Sequence, residues 1–447
     1  MKTKHMTIGV AMSDFYGNHP NAWRSEETDP LTYINIDEQI KYAKIAENGG
    51  LEYIFMPDRV FLHLGFTGIV NFPIDPIVQL SAIAAHTKHI GLIPTLSTSF
   101  NEPYTIARQL RALDLISKGR VGWQVIPSFE PDAFANYGQS VPNSRDKYER
   151  LHEVVQITQA LWGSWKKEAG EPNQETGVFL NYEYIQPINL QGKYVGARGP
   201  LQAPPSPQGQ PILVMPAASN SGIQPAGMYA DAIIGMPNTI EESVRLREIF
   251  RSAAQDAGRN ADEIKFMTFF TFGLGKMRRE ALDRRRAMEN PEDLPERLRH
   301  LSMLLGVPLS ESAVDEPLKS IQLRALQQNP HVNKSTQAIR LAKEGYSPLD
   351  IIAHGVLDNT PGVVGTAEDV ADYLQEWFEA GAADSFVIVA DRLSDALSDF
   401  VNQVIPVLQE RGLRPENYMG NTLRENMNLD YQLGVDPRIL NESDQIK

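Results

Sequence analysis

The stretch from Leu92 to Gly138 reads LIPTLSTSFNEPYTIARQLRALDLISKGRVGWQVIPSFEPDAFANYG. It begins with an apolar strand pattern that runs into a hydroxyl-rich turn at Thr95, Ser97, Thr98 and Ser99. A helical pattern follows, then Gly119-Arg120, then a second apolar strand from Val121 to Ile126. The result is a β-loop-α-β unit. Parallel strands joined by a helix bury both faces of their sheet.

The same rhythm extends in both directions. Upstream, Met6 to Met12 reads as a strand with a polar and aromatic exit loop from Ser13 to Arg24. A helix capped by Asp37 runs to Asn48 and stops at Gly49-Gly50. Tyr53 to Met56 is a buried strand ending in Pro57-Asp58, and Pro76 to His86 is a helix behind Asp75. Downstream, apolar spacing from Ser144 to Lys167 predicts a long amphipathic helix. Residues 168–210 are rich in Pro, Gly and Gln and read as an insertion holding a small hairpin. Strands at Ile212 to Met215, Ala232 to Gly235 and Lys265 to Gly273 then alternate with helices at Ser221 to Tyr229 and Ile240 to Ala257. Residues 276–345 are charged and helix-prone, a helical excursion and candidate lid. A helix at Thr366 to Ala380, a strand at Ser385 to Ala390 and a helix at Asp399 to Arg411 complete the rhythm, and residues 415–447 form a polar C-terminal tail. Eight strands alternating with helices in one 447-residue chain predict an α/β fold, a single closed (β/α)8 TIM barrel with insertions.

Composition narrows the function. A formal net charge of −14 argues against nucleic acid, whose phosphates need a basic face. With no cysteine there is no thiolate nucleophile and no cysteine-ligated metal. No run of about 18 apolar residues occurs, so a membrane span is not expected. The N-terminus lacks a signal-peptide pattern, which makes the cytoplasm the expected location.

Active sites of such barrels lie at the C-terminal ends of the strands. The candidate rim is therefore Asp14 to Trp23, Asp58 to His63, Thr95 to Ser99, Gln124 to Ser128 and Ala217 to Gly222. Within it, MPAASNSG (Met215 to Gly222) runs from a strand through a turn of small hydroxyl and amide residues, Ser219 and Asn220 among them, into a helix. Free backbone N–H groups at such a turn suit a phosphate, although small residues there also satisfy turn geometry alone. His19 and His63 fall on rim loops and titrate near neutral pH, which makes them candidate proton donors or ordinary surface residues. His86 and His89 lack a third neighbouring ligand, so no metal site is expected. The absence of HExxH, GxxxxGKS and GxGxxG strings argues against a zincin, a P-loop enzyme and a Rossmann nicotinamide site.

TLSTSFNEPYTIARQLRALDLISKGRVGW, followed by ANYG, resembles the hallmark of the flavin-dependent monooxygenases of the bacterial luciferase superfamily. The group it resembles includes nitrilotriacetate monooxygenase component A, dibenzothiophene-sulfone monooxygenase and long-chain alkane monooxygenase. PINLQGKYV, GPLQAPPSPQGQP, GTAEDVADYLQEWFEAGAADSF and VIPVLQERGL extend the likeness over nearly the whole chain. The resemblance implies reduced FMN (FMNH2) as co-substrate, delivered by a separate NAD(P)H:flavin reductase, and O2 activation through a flavin-oxygen adduct that oxidises a small organic substrate. It also implies a homo-oligomer, dimer or tetramer.

Carried over residue by residue, the resemblance puts Asp58 and Thr95 near the flavin ring and Ser219, with Asn220 beside it, at the phosphate. Tyr148 matches the tyrosine of a His-Asp-x-Arg-Tyr string and would reach the phosphate or ribityl chain. The histidine of that string is Ser144 here, and the asparagine of a Gly-Trp-Asn string is Gln124, which keeps an amide near the ring. Two alternatives stay open: a deazaflavin (F420)-dependent oxidoreductase and a flavin-binding protein without catalysis. A barrel hydrolase is disfavoured, since no pair of strand-end carboxylates is evident.

Overall fold

The computed structural model describes residues 5–13, 15–62, 70, 72–217, 220–328, 333–358 and 360–434. In chain order its strands are β1 (Thr7–Ala11), β2 (Tyr53–Met56), β3 (Gly91–Ser97), β4 (Gly122–Ile126), β5 (Leu190–Gln191), β6 (Gly196–Ala197), β7 (Ile212–Pro216), β8 (Ala232–Gly235), β9 (Lys265–Leu274), β10 (Gly362–Gly365) and β11 (Ser385–Ala390). The parallel sheet runs β11-β1-β2-β3-β4-β7-β8-β9 and closes through β9 pairing with β11. This is the closed eight-stranded barrel expected from the sequence. β5 and β6 form the small antiparallel hairpin of the 168–210 segment.

The helices are α1 (Ile36–Asn48), α2 (Pro76–His86), α3 (Pro103–Ile116), α4 (Pro131–Asn136), α5 (Ser144–Trp162), α6 (Asn220–Tyr229), α7 (Ile240–Asp256), α8 (Arg278–Ala287), α9 (Leu294–Leu305), α10 (Ser320–Ala325), α11 (Asn333–Lys343), α12 (Pro348–Ala353), α13 (Ala367–Glu379), α14 (Leu393–Asp399), α15 (Ile405–Glu410) and α16 (Leu423–Asn426). Among the described residues none is long and apolar enough to cross a membrane. The cap of α1 differs from expectation. Asn35, not Asp37, precedes the first turn, and its side chain accepts from the Asp37 N–H. Asp37 lies inside the helix, where its charge favours the N-terminal end of the dipole.

Alternation along the strands divides the core in two. Outward side chains such as Trp123, Phe270 and Phe386 pack under the helices. Inward ones, Tyr53 and Phe55 of β2, Ile93 of β3, Ile212 and Val214 of β7 and Met267 of β9, fill the barrel. Gly9 makes room for the ring of Tyr53: a Cβ there would lie 2.0 Å from it. The Tyr53 hydroxyl hydrogen-bonds Ser385 Oγ at 2.7 Å, which satisfies the one polar atom this large ring carries into the interior.

Three features extend the sequence reading. First, β10 pairs in parallel with the second half of β9, where β8 has ended. Second, the helices from α9 to α12 share a core of their own, including Leu298, Leu301, Leu305, Leu341 and Ile351. Third, the chain beyond Pro415 runs under the barrel. Leu423, Met427 and Leu429 join the interior cluster, while buried Arg424 pairs with Asp231 at 2.9 Å and donates to the carbonyls of Gln210 and Pro211. This closes the N-terminal end of the barrel and leaves the opposite end for a site.

Candidate active site

Inward positions on β3 and β4 become polar toward the strand C-termini. Ile93 and Gly122 are followed on the same face by Thr95 and Gln124, which are register partners. Thr95 Oγ1 donates to Gln124 Oε1 at 2.6 Å. That bond fixes the amide, so its NH2 side is the one left to donate. One layer higher, Ser97 Oγ and Ser128 Oγ hydrogen-bond at 2.9 Å.

Above this layer lies a cavity of about 460 Å³, within the range of small-molecule sites. Thr95, Ser97, Ile126 and Pro216 line its floor; Asp58, Arg59, Phe61, Phe129, Ser144, Lys147 and Tyr148 are among its walls. Asp58 follows β2 and accepts from the Arg59 N–H at 2.8 Å. Burial pushes its carboxyl up to about 6, with repulsion from Asp75 adding to the effect.

The opposite wall is the first turn of α5. Asn143 caps it by accepting from the Asp146 N–H at 2.9 Å. Ser144, Lys147 and Tyr148 then fall at i, i+3 and i+4, which is one helix face. Ser144 Oγ hydrogen-bonds Ser221 Oγ at 3.1 Å, joining the starts of α5 and α6. Arg150 Nε donates to the Thr98 carbonyl at 3.0 Å and ties α5 to the end of β3. Lys147 Nζ sits 5.7 Å from the Tyr148 ring and 6.0 Å from the Phe129 ring, with no carboxylate partner among the described residues.

Of the residues singled out from the sequence, the cavity brings together Asp58, Thr95, Ser144 and Tyr148, with Gln124 bonded beneath Thr95. Asn220 opens α6 and is exposed; its neighbour Ser221 makes the contact to Ser144. Ser219, His63 and Asp14 lie outside the described residues. His19 is not in the cavity wall. It is 3% exposed, with Nε2 3.3 Å from Glu289 Oε1 and Nδ1 accepting from the Asn21 N–H at 3.2 Å. With both ring nitrogens engaged, it fastens the loop after β1 to the helical excursion. His86 Nδ1 bonds the Ala82 carbonyl and His89 stacks on Tyr418. No group of three or more metal-ligating side chains occurs among the described residues. Lys147 and Arg59 were not singled out from the sequence. Lys147 does share the i, i+3, i+4 face with Ser144 and Tyr148, and that spacing could have found it.

A closed parallel barrel with a polar-floored cavity at its strand C-termini defines a barrel enzyme whose site sits on the usual face. Residues 9–384 match the model of the luciferase-like monooxygenase family, and the chain belongs to that family. It is a flavin-dependent monooxygenase. The chain is 31% identical over 437 residues to N-acetyl-S-(2-succino)cysteine monooxygenase of Bacillus subtilis (strain 168), covering 96% of this chain and 98% of that one. It is 31% identical over 404 residues to dibenzothiophene-sulfone monooxygenase of Rhodococcus erythropolis, covering 87% and 88% of the two chains. The solved structure of EDTA monooxygenase from Chelativorans sp. BNC1 aligns with a TM-score of 0.79 and 31% identity over 96% of this chain and all of that one.

Proposed function

We propose that the protein is the oxygenase of a two-component system. In this reading it takes reduced FMN from an NAD(P)H:flavin reductase and uses O2 to oxidise a small organic substrate. The observation that carries the proposal is the polarity in and around the cavity: Lys147, without a carboxylate partner among the described residues, beside the Ser144–Ser221 hydroxyl pair; Asp58; and Thr95 holding the Gln124 amide, set among apolar residues such as Phe61, Ile126 and Phe129.

That arrangement fits a flavin mononucleotide. Lys147, Ser144 and Ser221 would hold the phosphate at the convergent starts of α5 and α6, and Tyr148 the adjoining chain. Gln124, oriented by Thr95, would donate to a carbonyl of the ring, and Asp58 would lie beside it. Reduced FMN, when bound, supplies the electrons that activate O2. This chain's own work would be to orient the ring through the Thr95–Gln124 pair, to exclude water with Phe61, Phe129 and Ile126, and to place at Asp58 a carboxyl that takes up and releases its proton at about pH 6. The excursion fastened by His19 and Glu289 would help cover the barrel mouth.

The names of the similar proteins point to organic sulfur and nitrogen compounds, and we extend that class to this chain. A cytoplasmic location belongs to the proposal as the expectation from the sequence, and assembly as a homodimer or homotetramer belongs to it on the family resemblance.

Anaerobic titration of the protein with reduced FMN, read by flavin absorbance and ultrafiltration, tests the reading. Lys147→Ala weakens binding about tenfold or more, as loss of a charge-assisted phosphate contact does, and the effect is larger at low salt. Preferential binding of a reduced deazaflavin, or no effect of Lys147→Ala, contradicts the assignment.

A further inference from the structure

The cavity wall contains a second cation that the flavin reading does not use. Arg59 is partly buried, lines the cavity and lies 5.5 Å from the Phe61 ring, yet makes no ion pair among the described residues. The adjacent acid does not hold it. Among the described residues Asp58 accepts only the Arg59 backbone N–H, and its carboxyl is raised rather than lowered, the reverse of what a neighbouring guanidinium produces. Glu130, the other acid of the wall, turns Oε2 back onto the Phe129 N–H at 3.2 Å.

The phosphate site of the flavin reading, at the starts of α5 and α6, is built from Lys147, Ser144 and Ser221 and does not call on Arg59. Lys147 belongs to the α5 wall, whose Ser144 reaches the helix after β7, whereas Arg59 follows β2, three places away in the barrel order β2-β3-β4-β7. The two cations therefore come from different elements of the rim, Arg59 from the loop after β2 and Lys147 from the first turns of α5. A guanidinium left in an apolar setting costs desolvation unless an oxyanion meets it, and its fork matches a carboxylate bidentately. Phe61 lies beside it, and Val60, Ile126, Pro127 and Phe129 give the same cavity further apolar surface.

We propose that the substrate is an organic anion, an apolar body bearing a carboxylate, and that Arg59 is the residue that selects it. Phe61 and Phe129 receive the apolar part, and the carboxylate seats on the guanidinium. This rests on the flavin reading of the same cavity, because it is the flavin that leaves Arg59 free.

The test is calorimetric titration of FMN-loaded protein with matched probes that differ only in charge: N-acetyl-S-benzylcysteine and its carboxamide, and 4-phenylbutyrate and 4-phenylbutyramide. Flavin loading is measured first and separately, so loss of the flavin reading is seen as failure to load. Wild type binds each acid at least about tenfold more tightly than its amide, with the preference falling as salt rises. Arg59→Ala loses that preference and leaves amide binding and FMN loading within about twofold of wild type. Arg59→Lys restores part of it, since an ammonium keeps the charge without the fork. Equal binding of acid and amide by wild type overturns the proposal, as does equal weakening of both by Arg59→Ala. Loss of FMN loading in Arg59→Ala also overturns it, by assigning the cation to the flavin.

Discussion

Asp58 offers a prediction in which a binding residue costs stability. Its carboxyl rises from an ordinary 3.8 to about 6 because burial penalises the charged form. That rise corresponds to about 3 kcal/mol of preference for the neutral acid, and partial exposure to solvent reduces the usable figure to about 1–2 kcal/mol. The sign follows from proton linkage. The folded state binds the proton more tightly than the unfolded one, so the stability Asp58 contributes is full below pH 3.8 and is lost as pH rises through about 6. Asp58→Asn keeps the acceptor for the Arg59 N–H and removes the charge. The variant is therefore more stable than wild type at pH 8, by about 1–2 °C in thermal midpoint for a chain this long. The advantage shrinks by about half at pH 5 and to about a fifth by pH 4. Its oxygenase activity falls, since an amide cannot exchange the proton that this carboxyl takes up and releases at about pH 6. Differential scanning fluorimetry of the flavin-free protein across this range provides the check. A variant no more stable at pH 8, or equally favoured at pH 4, refutes the burial argument.

Other outcomes follow from the packing. Arg424→Ala leaves Asp231 buried without its partner and costs about 3–5 kcal/mol, read as a large drop in thermal midpoint. Gly9→Ala forces a methyl into the Tyr53 ring and costs about 1–3 kcal/mol, measured the same way. His19→Ala leaves Glu289 with Arg297 as its remaining partner and costs about 1–3 kcal/mol; limited proteolysis should then cut the excursion sooner than in wild type.

What the sequence revealed follows from how local each signal is. The limits of β2, β8 and β11 were legible because short β-branched or aromatic runs ended at Pro, Gly or Asp, and the start of α2 because Asp75 precedes a proline at the first turn. β10 was not: GVVG offers two apolar side chains between glycines, and only β9, continuing past β8, gives it a partner. The segment after Pro415 read as a polar tail because Arg424 and Asp231 each look like surface residues until the fold pairs them. The cavity's Asp58, Thr95, Ser144 and Tyr148 were legible through strand ends and family strings. Arg59 lay inside a rim segment without being singled out, and Lys147 was missed although its spacing with Ser144 and Tyr148 marked it; that neither has an ion-pair partner among the described residues shows only in three dimensions.

The most direct test of the central claim is rapid mixing of protein loaded with reduced FMN under nitrogen with oxygenated buffer, following flavin absorbance. The account predicts a transient spectrum, distinct from reduced and oxidised FMN, that outlasts any seen in free solution and is shortened in Asp58→Asn. Reoxidation at the rate of free reduced FMN, with no such transient, would contradict it.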